Sequence, residues 1–213
     1  MRIADRINKD FRVVLASASP RRKQIMELVG LQFEVWPSEK EEVITKTDPA
    51  DICKELSRQK ALDVASSIRT YNEAHPDLTT QTDILVIGAD TIVAKDGKIF
   101  GKPADEADAK NMLKSLSGDT HSVYTGVSLV FISKEGRVGE HTFCEETKVT
   151  FFEAGDAELD AYIATGDVYD KAGAYGIQSG AAAFVKGIDG DFYNVMGLPV
   201  ARMLWELKSI CSY

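Results

Sequence analysis

The sequence predicts an α/β protein, because segments with the pattern of strands alternate with segments of helical spacing. Residues 13–16 are apolar and β-branched, as expected for a buried strand. A serine and a proline then provide the N-cap and the first residue of a helix that ends near residue 30. Residues 84–93 form a nearly continuous apolar run, which is typical of a central strand buried on both faces.

The other elements are predicted in chain order from the same signals. Residues 33–36 form a short strand that a proline ends, and Asp48-Pro49 begins a helix that runs to about residue 68. Residues 70–83 are polar and are expected to form a surface loop, and the Asp-Gly pair at residues 96–97 indicates a hairpin. Beyond the hairpin we expect helices at residues 105–116, 156–164 and from 199 onward, and strands at residues 123–132, 138–152 and 184–185.

Helical spacing also predicts which side chains two of the helices bury. The first helix is expected to bury Ile25, Leu28 and Val29. The closing helix is expected to bury one apolar stripe: Val200, Met203, Leu204, Leu207 and Ile210.

Length and composition indicate an ordinary soluble protein of one large domain or two small lobes. Residues 1–10 are expected to lead into the first strand, and residues 11–213 to form a single domain. No apolar run approaches the ~18 residues of a membrane span, and the N-terminus lacks the apolar core of a signal peptide. The three cysteines match neither a zinc pattern nor a C-x-x-C pair, so we expect a reducing, cytoplasmic setting without a membrane partner.

The net charge of −8 argues against a general nucleic-acid binder, because neutralising many phosphates requires a broad basic surface. An anionic ligand must instead be held by a local cluster of cations. The positions of individual lysines and arginines are therefore more informative than their number.

The turn between the first strand and the first helix is a candidate anion site. Free backbone N–H groups at a helix start attract anions, and Ser17, Ser19, Arg21 and Arg22 add side-chain donors at the same point. The alternative is an ordinary capped helix with two solvated arginines.

Two further charged positions have both a structural and a functional interpretation. The acidic loop that contains Glu41 and Glu42 is either a solvated turn or a source of ligands for a hard divalent cation. Lys60 lies on the same helical stripe as Leu56 and Val64, so its ammonium either reaches the surface along that stripe or serves a buried anion.

Asp90 lies inside the long apolar run, where a carboxylate is costly unless it is paired, hydrogen-bonded or bound to a metal. A satisfied structural aspartate and a catalytic one are both consistent with this position. The hairpin returns Lys102 to the neighbourhood of Asp90. Residues 170–178 are rich in glycine and alanine, which is typical either of a loop that approaches a ligand or of a plain connector.

Several known signatures are absent from the sequence. It contains no Walker A motif, no G-x-G-x-x-G after a strand and no G-x-S-x-G elbow. The three histidines are not spaced as a metal triad. Any chemistry is therefore expected to depend on carboxylates, lysines and arginines.

Taken together, these motifs resemble the Maf family of nucleoside triphosphate pyrophosphatases, in the order of the family and from about residue 11 to the C-terminus. The resemblance is carried by six segments: Leu15-Ala16-Ser17-Ala18-Ser19-Pro20-Arg21-Arg22, Gly88-Ala89-Asp90-Thr91-Ile92-Val93, Lys102-Pro103, Leu116-Ser117-Gly118, Asp170-Lys171-Ala172-Gly173-Ala174-Tyr175-Gly176-Ile177-Gln178 and Gly197-Leu198-Pro199. Two positions depart from it, namely Ser179, where a glycine is expected, and Gly101, where an acidic residue is common.

The resemblance implies an α/β fold with a long, mixed, twisted sheet flanked by helices, with two lobes around a deep cleft, as in inosine triphosphate pyrophosphatases. Residues 11–213 would form one Maf-like domain. It also implies a homodimer and the hydrolysis of a nucleoside triphosphate to a monophosphate and pyrophosphate, with Mg²⁺ or Mn²⁺ as divalent cation.

The resemblance also implies roles for individual residues. Asp90 resembles the proton acceptor, and Lys60 and Lys102 are expected to act with it in catalysis. Glu41, Glu42 and Asp90 are candidate metal ligands. Candidate substrate-binding residues are Ser17, Ser19, Arg21, Arg22, Thr91, Lys171 and Gln178.

Within the family, Arg21, Thr91 and Gln178 resemble the branch that acts on dTTP and UTP. A glutamine amide offers one donor and one acceptor, which matches the edge of uracil or thymine. Two alternatives stay open at this point. One is a pyrophosphatase for modified nucleotides such as 7-methyl-GTP, and the other is a nucleotide-binding regulatory module that does not hydrolyse its ligand.

Overall fold

A mixed seven-stranded sheet forms the centre of the computed structural model, which describes residues 2–75 and 82–211. The strands are β1 (Phe11–Leu15), β2 (Glu34–Val35), β3 (Asp83–Lys95), β4 (Lys98–Phe100), β5 (Thr120–Ile132), β6 (Val138–Phe151) and β7 (Val185–Asp189). Their order is β2-β1-β3-β5-β6-β7, and β4 pairs with β3. The pairs of β1 with β2 and with β3 are parallel and the others are antiparallel, so the expected mixed sheet is confirmed.

Helices flank this sheet, as the sequence predicts. They are α1 (Ile3–Asp10), α2 (Pro20–Leu28), α3 (Pro49–Ala74), α4 (Glu106–Leu116), α5 (Asp156–Ile163), α6 (Phe192–Met196) and α7 (Val200–Ile210). The cap signals explain several of the boundaries. The Asp48 carboxylate accepts the N–H groups of Ala50 and Asp51 at the start of α3, and Gly30 adopts a left-handed conformation just after α2.

Strand β3 connects two apolar clusters at its two ends. Leu85 and Ile87 belong to a cluster that α1, α2 and α7 complete, whereas Val93 belongs to one formed with α4 and α5. Between these ends the burial of the strand is interrupted at Asp90 and Thr91, which are partly exposed. We call the two clusters, each with its flanking helices, the two lobes of the molecule. Both lobes include part of β3, and Asp90 and Thr91 lie where the lobes meet.

Two predicted apolar faces are wrong in detail. Leu28 is 65% exposed. Helix α2 instead buries the side of the helix that carries Arg22, Ile25 and Met26, and helical spacing continues that side to Val29 rather than to Leu28. Ile210 is 42% exposed, because the last turn of α7 lies beyond the apolar cluster that buries the inner side of that helix.

The two largest differences from the predicted boundaries concern α1 and the end of α3. Residues 3–10, expected as a lead-in, form α1, which buries Ala4 and Ile7 against the first cluster. Helix α3 continues to Ala74, so residues 70–74 of the predicted loop are helical, and residues 76–81 of that loop lie outside the described residues.

Two other observations concern the chain as a whole. Across residues 2–75 and 82–211, no helix has both the length and the apolar character needed to cross a membrane. No disulfide joins any two cysteines in the described residues, and Cys53, a residue of α3, is buried.

Helix α3 approaches the sheet so closely that only glycine fits at two positions under it. A Cβ on Gly88 would lie 2.3 Å from the carbonyl oxygen of Ser57. A Cβ on Gly126 would lie 2.2 Å from the carbonyl oxygen of Cys53. Both obstacles are backbone atoms of the helix. A side chain at either position could therefore be accommodated only if α3 moved away from the sheet.

We expect Gly126→Ala to lower the free energy of unfolding by about 2 kcal/mol, the scale of an overpacked core position. The measurement is urea unfolding followed by circular dichroism. Gly187→Ala is the matched control, because a Cβ at that strand position meets no atom within 4 Å. An unfolding free energy of Gly126→Ala equal to that of the wild type would contradict the close seating of α3.

Candidate active site

A cleft of about 580 Å³ opens where the two lobes meet. Its walls come from the start of α2, the middle of α3, the centre of β3, the loop after β4, residues 170–178 and the end of α6. Every predicted site residue except Glu41 lines this cleft: Ser17, Ser19, Arg21, Arg22, Glu42, Lys60, Asp90, Thr91, Lys102, Lys171 and Gln178.

Lys60 is held between two carboxylates at the floor of the cleft. Its Nζ lies 2.5 Å from Oδ1 of Asp90 and 2.9 Å from Oε1 of Glu42. The side chains of Lys60 and Asp90 are only 18% and 13% exposed. The two alternatives for Lys60 are thereby decided, because its ammonium points to anions on the inner side of the molecule rather than reaching the outer surface.

Arg22 is buried and anchored at three of its nitrogens. Nε donates to the carbonyl oxygen of Gly197 at 2.8 Å, Nη1 to Oγ of Ser17 at 2.9 Å and Nη2 to Oγ1 of Thr91 at 3.1 Å. A guanidinium has five N–H donors, so one donor remains on each terminal nitrogen. Burial lowers the pKa of Arg22, and the nearby Asp90 carboxylate opposes this shift.

Hydrogen bonds therefore join Ser17, Arg22 and Thr91 into one unit in the wall of the cleft. Oγ of Ser17 also accepts the backbone N–H of Ser19 at 3.3 Å. Ser19 occupies the N-cap position of α2, but its side chain makes no capping hydrogen bond. Ser19 lines the cleft at the start of α2, where the first helical turn has free backbone N–H groups.

Arg21 reaches across the cleft to the segment that begins at Asp170. Its Nη1 lies 2.7 Å from Oδ2 of Asp170, and Nη2 donates to the carbonyl oxygen of the same residue at 3.3 Å. Burial raises the pKa of Asp170, but hydrogen bonds from Lys171 and Arg21 outweigh burial and lower this pKa to about 2.

Lys171, expected to bind substrate, uses its ammonium within the protein. Nζ donates to the carbonyl oxygen and to Oδ1 of Asp167, both at 2.7 Å, and to Oδ1 of Asp170 at 2.6 Å. These acceptors occupy all three N–H donors of a lysine, and the side chain is only 8% exposed. Lys171 therefore holds the loop in place through Asp167 and Asp170, and its expected contact with a substrate stays a prediction.

Two other predicted residues are free to meet a ligand. Lys102 and Gln178 are exposed, line the cleft, and have no ion pair or side-chain hydrogen bond with any residue in the described part of the chain. Glu41 is the exception among the predicted ligands. It does not line the cleft, whereas its neighbour Glu42 contacts Lys60, so only Glu42 of this pair is retained as a candidate metal ligand.

Sequence reasoning missed several residues that support the site. Asp167 and Asp170 hold the cationic side chains of Lys171 and Arg21, and the Ser179 hydroxyl donates to Asp167. The departure at Ser179 thus adds a hydrogen bond to this network. A buried threonine, Thr125, contacts Thr91 from the neighbouring strand. Thr125 lies 34 positions from Thr91, and Asp170 lies 149 positions from Arg21, so no local pattern predicts these contacts. Asp170 begins the segment 170–178 that the sequence does mark, but nothing in that segment indicates its partner. Asp167 and Ser179 are ordinary polar residues without a sequence signal of their own.

Comparisons with known proteins identify the family of this chain. Residues 12–210 match the family model described as Maf-like protein. A dTTP/UTP pyrophosphatase of Agathobacter rectalis is 56% identical over 198 residues, which cover 93% of this chain and 97% of that protein. A dTTP/UTP pyrophosphatase of Bacillus cytotoxicus is 50% identical over 200 residues, covering 93% and 95%.

Among solved structures, a HAM1 protein from Coxiella burnetii aligns with 93% of this chain and 99% of that chain, at 12% identity and a TM-score of 0.44. The family match spans nearly the whole sequence, and the relatives described above share at least half of their aligned residues with it. The chain therefore belongs to the Maf-like protein family.

Proposed function

We propose that this protein hydrolyses dTTP and UTP to the nucleoside monophosphate and pyrophosphate. The observation that carries the proposal is the Asp90 carboxylate, held by Lys60 in a cleft whose walls present Arg21, Arg22 and Lys102. The names of the relatives support the same reaction and the same bases.

The cations of the cleft suit a multiply charged leaving group. A triphosphate carries about four negative charges, and pyrophosphate leaves with most of them. Arg22 has two free N–H donors, Lys102 is free of protein partners in the described residues, and α2 adds backbone N–H groups at its first turn. These groups stabilise the charge that develops as the bond between the α and β phosphates breaks.

Asp90 is the proposed proton acceptor. Its Oδ1 is bound to Lys60, so Oδ2 is the oxygen left to accept a proton from the attacking water. The oxygen of that water forms the new bond to phosphorus, and the bridging oxygen leaves with pyrophosphate. Lys60 orients the carboxylate for this step, and Glu42 in turn holds Lys60.

The same carboxylates fit a divalent cation. Mg²⁺ is commonly bound by one or two carboxylates together with substrate phosphates and water, and Asp90 and Glu42 bring two carboxylates to one point of the cleft. In this proposal they hold Mg²⁺ or Mn²⁺, which when bound adds positive charge next to the phosphates. The expected homodimer and cytoplasmic location stay predictions.

We expect dTTP and UTP to have the highest kcat/KM in a panel that also contains CTP, GTP and 7-methyl-GTP, under one Mg²⁺ concentration. Gln178 is exposed in the wall of the cleft and can pair with the donor and the acceptor on a pyrimidine edge. The products should be monophosphate and pyrophosphate, and hydrolysis in ¹⁸O-water should place the label in the monophosphate, because the bridging oxygen leaves with pyrophosphate.

Two results of the panel would contradict the proposal at different levels. Orthophosphate as the first product would refute the reaction itself. A preference of ~10-fold or more for GTP or 7-methyl-GTP, about 1.4 kcal/mol, would refute the choice of bases while leaving the reaction in place. Tight binding of the nucleotides without hydrolysis would favour the alternative of a nucleotide-binding regulatory module.

We expect Asp90→Asn to lower kcat by at least ~10²-fold, the usual scale for a general base, and to keep the fold, because Lys60 retains Glu42 as a partner. Asp83→Asn is the matched control. Asp83 lies at the start of the same strand, where its carboxylate accepts the backbone N–H of Lys134 outside the cleft. If folded Asp90→Asn has wild-type turnover, the proton acceptor lies elsewhere, with Glu42 the nearest candidate.

A further inference from the structure

We propose that Thr125, which does not line the cleft, positions Arg22 by fixing the direction of the Thr91 hydroxyl. The inference rests on the proposed function, because it assigns Arg22 to the phosphates of the substrate. Thr125 is fully buried on β5 and lies directly opposite Thr91 on β3 in the antiparallel pair. The two Oγ1 atoms are 3.0 Å apart.

The direction of each hydrogen bond in this chain follows from the partners at its two ends. The Thr125 hydroxyl lies 3.0 Å from the carbonyl oxygen of Asn194, and a carbonyl can only accept. The single proton of Thr125 is therefore used there. In the contact between the two threonines, Thr91 must then be the donor and Thr125 the acceptor.

The other end of the chain agrees with this direction. Nη2 of Arg22 can only donate, and it lies 3.1 Å from Oγ1 of Thr91. Thr91 thus accepts from Arg22 and gives its own proton to Thr125. Hydrogen bonds run in one direction, from Arg22 through Thr91 and Thr125 to the Asn194 carbonyl.

This order has two consequences for the cleft. The Thr91 oxygen keeps its lone pairs turned to Arg22 and the ligand, so Thr91 meets a substrate as an acceptor and not as a donor. Arg22 is held at Nη2 as well as at Nε and Nη1, which fixes the plane of its guanidinium. The two remaining N–H donors then have fixed directions toward the phosphates, which reduces the entropy lost on binding.

Removing the Thr125 hydroxyl interrupts this chain of hydrogen bonds without changing a residue that lines the cleft. In Thr125→Val the Thr91 proton loses its acceptor, and the Thr91 hydroxyl can rotate that proton toward Arg22. In that orientation the Thr91 hydroxyl and Nη2 of Arg22 point their protons at each other, which weakens the hydrogen bond between them. The expected result is a fall in kcat/KM for dTTP of about tenfold.

Three comparisons separate positioning from a general loss of structure. Thr125→Ser retains the hydroxyl and should stay within about twofold of wild-type kcat/KM. Thr142→Val removes a hydroxyl that bonds to Ser128 on the neighbouring strand away from the cleft, and it should also stay within about twofold. In a Thr91→Val background, adding Thr125→Val should cause no further loss of kcat/KM, because Thr125 acts through Thr91.

Wild-type kcat/KM in folded Thr125→Val would overturn the inference, and so would a full additional tenfold loss in the Thr91→Val background. A loss in Thr125→Ser as large as that in Thr125→Val would do the same. If Thr125→Val does not fold, Thr125→Cys, whose thiol is a weak hydrogen-bonding group, takes its place in each comparison.

A measurement without substrate keeps the inference separate from the proposed function. In ¹⁵N-labelled protein the Nε–H signal of Arg22, assigned by its loss in Arg22→Lys, reports how firmly the guanidinium is held. Its hydrogen exchange should be about tenfold faster in Thr125→Val than in the wild type and nearly unchanged in Thr125→Ser. Equal exchange rates would overturn the positioning role even if the enzyme turns over, and a wild type without turnover would refute the proposed function alone.

Discussion

The ion pair between Lys60 and Asp90 is the interaction on which the site depends. A carboxylate within an apolar strand is costly unless a partner satisfies it, and Lys60 supplies that partner from α3 at 2.5 Å. The same ammonium binds Glu42, so one cation joins the acidic loop, the helix and the central strand. The close seating of α3 on Gly88 and Gly126 brings Lys60 to this position. The packing of α3 on the sheet and the ion pair between Lys60 and Asp90 therefore both require α3 to lie close to β3.

Around this pair, the cations of the cleft fall into groups that differ in how many hydrogen bonds they have left to give. Lys171 has none, because Asp167 and Asp170 occupy all its donors. Arg22 keeps two of five, and Lys102 has no partner in the described part of the chain. The fully paired lysine maintains the loop, whereas the partly paired arginine and the free lysine line the cleft with hydrogen-bond donors still available. Under the proposed function, this division allows a chain with a net charge of −8 to bind a triphosphate without a broad basic surface.

The sequence predicted most of the fold and most of the cleft, since both depend on local patterns. The apolar run of β3, the start of α2 at Pro20, the Asp48 cap of α3 and the Asp-Gly hairpin appear where expected. Leu28 was misplaced because the face of α2 is set by Arg22, a charged residue that spacing rules assign to solvent. The partners of the site residues could not be predicted. Thr125 meets Thr91 only through strand pairing, and Asp170 meets Arg21 only when the two lobes are assembled.

A double-mutant cycle on unfolding free energy tests the central claim most directly. Lys60→Met leaves the Asp90 carboxylate without its nearest cation, so it should destabilise the protein strongly, whereas the same change in an Asp90→Asn background should cost much less. Urea unfolding of the wild type, the two single variants and the double variant gives the coupling free energy. The account predicts a favourable coupling of at least ~1 kcal/mol, within the range found for residues in contact. Additive effects would contradict the claim that Lys60 and Asp90 form the interaction on which the site depends.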